Sequence, residues 1–306
     1  MSFFTVLFQM LALLIMIGAG WLAAVRRMLD EHTNNQISSM IVSILNPLLV
    51  LSSAADAVGT ISLWLLGFVG IIAAAMFLFF IATGKLLSPL FDRDKSQQKI
   101  FQLMFVFSNL SFIGIPVISS ILGAEYVVYV MVFMQVYTLF LYTYGIAVMD
   151  GQFSAASLKG MLNPGTLFSI AGLLLIIANI RLPDFLLTAV SYLGSAAPPL
   201  ALMSVGYTLA NSDLKKAFGN LRIYVFSVIK LLALPLLMVQ VLKLLPVDTP
   251  VLLVCAVIFG MPVGNMPLML GTQKGLDCST CTAAILVTTV LCVVTIPILL
   301  LVLPMT

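Results

Sequence analysis

The sequence predicts an all-α integral membrane protein of ten transmembrane helices, arranged as two inverted five-helix repeats with a crossover of broken helices 4 and 9. Three observations predict this: long uninterrupted apolar runs, a one-sided distribution of basic residues, and matching glycine, proline and asparagine breaks in corresponding segments. Of 306 residues, 62% are hydrophobic and 8% charged, and the mean hydropathy is +1.19. That leaves too little polar surface to cover a soluble globule of this length. A bilayer core about 30 Å thick needs roughly 20 residues of helix at 1.5 Å each, and the apolar runs have that length. Barrel strands would be about half as long and would alternate in polarity.

The first segment, Phe3 to Val25, has no basic residue before it and Arg26 and Arg27 after it, the reverse of a secretory signal, so it reads as a helix. The second, near Asn35 to Ala55, carries Asn46-Pro47 near its middle. The third, Ile61 to Leu87, is unbroken and leads into a basic connection. The fourth, Lys99 to Leu122, contains Ser108-Asn109-Leu110-Ser111-Phe112-Ile113-Gly114-Ile115-Pro116 and is followed by Glu125. Tyr126 to Met149 completes the first repeat, residues 1–149, and a short cytoplasmic connection spans 150–163. The second repeat, 164–306, begins with Pro164 to Ile180 and continues with Phe185 to Ala210, which carries Ala197-Pro198-Pro199-Leu200. Leu221 to Leu244 encloses Lys230, Pro250 to Gly271 contains Gly260-Met261-Pro262-Val263-Gly264-Asn265-Met266-Pro267 with Asp277 beyond it, and Thr280 to Leu303 is the last. Proline features thus recur at the second and fourth positions of each half. An odd number of helices per half inserts the second copy upside down.

Basic residues orient the set. With the N-terminus outside, the connections after odd-numbered segments hold Arg26, Arg27, Lys85, Arg93, Lys95, Lys99, Lys159, Lys215, Lys216, Arg222 and Lys274. The opposite side holds only Arg181 and Lys243, eleven against two. The positive-inside rule therefore predicts both termini on the extracytoplasmic side; the membrane expected is a plasma (inner) membrane of bacterial type.

A proline removes one backbone donor and displaces the carbonyl one turn earlier, which costs several kcal/mol if those groups face lipid. Irregular backbone at membrane depth is tolerated where it lines a cavity, and there transporters bind substrate. A half-helix beginning near each proline presents free N–H groups and about half a positive charge, which favours an anion. Asn109 and Asn265 add hydrogen bonds without a formal charge. The bland reading is that prolines kink packed helices and asparagines bridge them; coincident clusters in equivalent segments weigh against it. Lys230, the one basic residue deep in an apolar run, needs a partner or a wet cavity and is a possible charge partner, although a long side chain can also snorkel.

Asp56, Glu125, Asp150, Asp213 and Asp277 sit near segment ends, so no carboxylate is placed at the crossover as a proton carrier or sodium ligand. Coupling to H+ or Na+ stays open. Cys255, Cys278, Cys281 and Cys292 read as buried small hydrophobes, because Cys278-x-x-Cys281 has no second pair and the only histidine, His32, belongs to a charged loop. No metal site, cofactor, catalytic group or nucleic-acid partner is expected. A channel lined by the same breaks is the first alternative to a carrier; an intramembrane enzyme and a structural or sensor protein are weaker ones.

The fourth-segment motif Asn109-Leu-Ser-Phe-Ile-Gly-Ile-Pro116, followed by Leu122-Gly123-Ala124-Glu125, resembles the fourth helix of the auxin efflux carrier family, which includes plant PIN-type carriers and bacterial organic-acid transporters. Pro47-Leu48-Leu49 resembles its second helix, and the stretch from Pro267 through Thr282-Ala283-Ala284 to Ile296-Pro297-Ile298 its ninth and tenth. The resemblance implies a bacterial member with the ten-helix crossover fold, a scaffold of helices 1, 2, 6 and 7, a transport domain of helices 3–5 and 8–10 working as an elevator, and a homodimer. It implies small organic anions as substrates. Carried over by position, Asn109, Gly114 and Pro116 and then Asn265 and Pro267 line the site, with Asn46, Pro47, Pro198 and Pro199 near it. The short central connection departs from the plant carriers, so regulation by a long phosphorylated loop is not expected. The extra proline and asparagine of the ninth-helix break point away from auxin itself.

Overall fold

The computed structural model describes residues 3–151, 159–212 and 219–301. Residues 152–158, half of the predicted 150–163 connection, together with Asp213, Lys215 and Lys216, lie outside the described residues. Among the described residues every named element is helical. Six helical stretches are long and apolar enough to cross a membrane by length and composition: Glu31–Asp56, Leu63–Phe91, Ala124–Asp150, Asp184–Ala210, Leu221–Leu242 and Ser279–Leu301. Leu11–Val25, Leu110–Ile121, Pro164–Ala178 and Thr249–Phe259 are shorter apolar helices. Ile15, Leu86, Leu90 and Phe185 are each 73–78% exposed, an apolar exterior that suits lipid and not water.

The chain forms two compact units. The first comprises 1–71, 111–135 and 162–212. It contains α1 (Phe3–Val25), α2 (Glu31–Met40), α3 (Asn46–Asp56), the start of α4 (Leu63–Phe91), then α6 (Ile115–Ile121), the start of α7 (Val127–Phe140), α9 (Pro164–Ala178), α10 (Asp184–Ser195) and α11 (Ala197–Ala210). Here α1 and α11 lie backbone against backbone. A Cβ on Gly20 would fall 2.0 Å from Met203 O, and one on Gly206 the same 2.0 Å from Ile17 O. Small residues let membrane helices approach this closely, so packing contacts replace the absent hydrophobic drive. A cavity of about 190 Å³ lies beside this pair, lined by Met28, Asn34, Ile37, Met203 and others.

The second unit comprises 72–110, 136–161 and 213–306. It holds the rest of α4, α5 (Lys95–Val106), the end of α7, α8 (Ile146–Asp150), α12 (Leu221–Val228), α13 (Leu234–Leu242), α14 (Thr249–Phe259), α15 (Met266–Gln273) and α16 (Ser279–Leu301). Its core is aromatic. Phe226 meets Phe91, Phe101 and Phe105 edge-on, with ring centroids 4.8–5.8 Å apart, the spacing aromatic pairs prefer. Phe77 gathers Phe107, Tyr137 and Phe140 into a second cluster.

Four π turns interrupt these helices: Ile41–Leu45, Leu110–Gly114, Leu141–Gly145 and Ile229–Ala233. Three of them end two residues before a proline, Pro47, Pro116 and Pro235. The ring of a proline cannot donate and clashes with the carbonyl four residues back; a widened turn relieves both problems without ending the helix. This refines the expectation that half-helices begin near each proline. Before Pro116 the helix resumes at Leu110, and the interruption lies earlier, at Phe107 to Asn109.

Candidate functional site

The second unit brings the start of the first break, up to Leu110, together with the second break. The residues between α5 and the π turn at Leu110 run extended, with Phe107 at φ −99°, ψ 95°. They pair antiparallel with the residues between α14 and α15 through a single bridge, Ser108 with Val263. Asn109 N donates to Pro262 O at 2.8 Å, and Gly264 N donates to Phe107 O at 2.9 Å. Main-chain groups that both helices lose at their breaks are thus satisfied by each other, which is what a buried, irregular backbone requires. Glycine is needed at 264 because a Cβ there would lie 2.9 Å from Ser108 O and 3.1 Å from Phe107 O.

Two further helices secure the pair. Thr288 of α16 accepts a hydrogen bond from Val263 N at 3.1 Å, and its hydroxyl donates back to Ala284 O at 2.6 Å. Lys230, in the π turn between α12 and α13, is fully buried. Its Nζ donates to Phe105 O at 2.6 Å and Ser108 Oγ at 2.8 Å, and sits 4.4 Å from the ring centre of Phe80. Phe105 O is one of the last four carbonyls of α5, which have no amide partner within the helix and form the negative end of its dipole.

α15 starts directly after the crossing. Asn265 is its N-cap residue and makes no side-chain capping bond; it is exposed, whereas Asn109 is buried. Pro267 occupies the first turn and is buried. The start of α15 therefore offers main-chain donors that no side chain caps, a favourable place for an anion.

The remaining predicted site residues belong to the first unit. Asn46, 3% exposed, donates through Nδ2 to Ser111 O at 3.1 Å, and its Oδ1 is buried without a partner. Pro47 is buried beside it. Gly114 and Pro116 are buried where the π turn meets α6. Pro198 and Pro199 stand in the first turn of α11, half-buried. Asp56 and Asp150 are the last residues of α3 and α8, and Asp277 precedes α16. Arg222 with Asp92 and Lys274 with Asp150 form ion pairs, both partly exposed. Among the described residues no three or more His, Cys, Asp or Glu side chains converge as a metal site would require.

Sequence reasoning missed Ser108, Thr288, Phe80 and Phe105. Ser108 stood inside the fourth-segment motif and was visible. Thr288 is one threonine among several in an apolar helix, and a carbonyl and a ring that receive a lysine leave no mark in the sequence.

No curated protein matches the chain. The family model described as "Membrane transport protein" matches residues 5–158 and again 152–300. Together these matches cover nearly the whole chain, including both breaks. With its many apolar helices, the chain is a multi-pass membrane protein and a transporter, and it belongs to the membrane transport protein family, that of the auxin efflux carriers.

Proposed function

We propose that the protein is a secondary transporter that moves small organic anions, mono- or dicarboxylates, across the plasma membrane by alternating access of the elevator type. The observation that carries this reading is the junction of the two breaks, with the uncapped start of α15 immediately beyond it. A carboxylate at that helix start would accept main-chain hydrogen bonds and lie at the positive end of the dipole, with Asn265 able to add a donor. The second unit would be the part that carries the anion. In the same proposal the helices form two inverted sets of five, both termini lie outside the cytoplasm and the protein works as a homodimer.

The test is uptake of a carboxylate panel by proteoliposomes. Saturable, counterflow-competent transport of one or more carboxylates is expected, and Asn265→Ala should raise its KM. Indifference of that transport to Asn265→Ala and to Asn109→Ala would remove the site assignment. Ohmic conductance without saturation would turn the carrier into a channel.

A further inference from the structure

We propose that Lys230 is the resident cation of the helix break: its ammonium occupies the position that a bound metal cation would otherwise fill, so the junction neither needs nor binds sodium. An ammonium has three donors and no acceptor. Around Lys230 Nζ stand the Phe105 carbonyl at 2.6 Å, the Ser108 hydroxyl at 2.8 Å and the face of Phe80 at 4.4 Å, all electron-rich. Carbonyls at the C-terminal end of an interrupted helix, with a hydroxyl beside them, are the oxygen ligands by which broken membrane helices hold a monovalent cation. Here a side chain from another helix delivers the charge covalently. A buried charge left unpaired is strongly destabilising, and an isolated charge at membrane depth costs several kcal/mol, so Lys230 and the oxygens it meets depend on each other.

The π turn at Ile229–Ala233 contains Lys230 itself, and the turn ends two residues before Pro235. The extra residue of such a turn re-aims the side chains within it. The geometry also separates Lys230 from a direct role toward substrate, because two of its three donors are bound to Phe105 O and Ser108 Oγ, the Phe80 ring lies beside it and none of its surface is open. It is a positioning residue that holds Phe105 to Ser108 where the bridge to Val263 forms.

This inference rests on reading the junction as the transport site, but its readout needs no substrate, so it can fail while carboxylate transport stands, and the reverse. The melting midpoint of the purified full chain would be measured in sodium, potassium and choline chloride at equal ionic strength. The wild-type midpoint should be the same in all three. A saturable rise specific to sodium that Ser108→Ala abolishes would overturn the proposal, because a metal would then share the junction. Lys230→Ala should melt lower, and ethylammonium, which replaces the missing charge, should raise its midpoint saturably where choline, too large for the vacancy, does not. Absence of any saturable response of Lys230→Ala to ethylammonium or sodium would also overturn it. Should Lys230→Ala fail to fold, Ser108→Ala carries the test through amide exchange: Asn109 and Gly264 should lose protection, and unchanged protection would count against the proposal.

Discussion

Gly264→Ala tests whether the two breaks are joined as described. A Cβ at this position would lie 2.9 Å from Ser108 O, 3.0 Å from Ser108 C and 3.1 Å from Phe107 O, all main-chain atoms, whereas ordinary contact begins at 3.4 Å. Relief requires the two segments to part by about 0.5 Å, the difference between 3.4 and 2.9 Å. The bonds Asn109 N to Pro262 O and Gly264 N to Phe107 O, now 2.8 and 2.9 Å, would stretch beyond the range of good hydrogen bonds. Overpacking of this kind costs about 1–3 kcal/mol, which at about 2–4 °C per kcal/mol lowers the melting midpoint by roughly 2–12 °C. The assay is thermal melting of the purified protein together with amide hydrogen exchange at Asn109 and Gly264. Gly67→Ala, where an added Cβ meets nothing within 4 Å, is the control and should melt like the wild type. A Gly264→Ala protein with wild-type midpoint and unchanged protection at both amides would refute the close approach.

Thr288→Val keeps the shape of the side chain but leaves Val263 N without its acceptor, and a buried amide so orphaned costs about 1–3 kcal/mol; a lowered midpoint with faster exchange at Val263 is expected. Asn34 is 7% exposed, its Oδ1 has no partner and it lines the cavity beside α1 and α11, so Asn34→Leu should raise the midpoint; a fall would mean that the amide is needed there. Asp30 caps α2, and hydrogen bonds from the side chain and backbone of Thr33 hold its carboxyl below the ordinary 3.8. A carboxyl lowered by folding stabilises above the unfolded value and loses that contribution as pH falls through the folded one. Helix α2 should therefore fray as the pH drops below 3.8, while Asp30→Asn, which retains a capping oxygen, should lack that step; far-ultraviolet dichroism or exchange at Thr33 reads it.

Apolar runs and punctuation were enough to locate the helical stretches to within a few residues, because the bilayer leaves little choice about length and every main-chain group must be satisfied along the helix. The pairing of the Phe107–Asn109 and Pro262–Gly264 segments was legible as two matching clusters, but not the form it takes. The sequence predicts half-helices beginning near the prolines of the two breaks, and α15 begins beside Pro267. At Pro47, Pro116 and Pro235 the helix widens and continues, because a π turn absorbs the clash at less cost than a full break. Lys230 was visible as an anomaly. Its partners were not, since one is a carbonyl, whose availability depends on where α5 ends, and another is the face of a ring.

The π turns also alter how this chain can be compared with any other. Each holds one residue more than the α-helical turn it replaces, and one residue corresponds to about 100° around the helix axis. The side chains before and after Ile229–Ala233 therefore run out of phase, and the apolar stripe that faces the core on α12 is continued on α13 by a different set of heptad positions. In a pairwise alignment, a one-residue gap falling in 41–45, 110–114 or 229–233 would mark the gain or loss of such a turn in mid-helix. It would not mark a change in loop length, and residues on either side of it would keep their places in the fold.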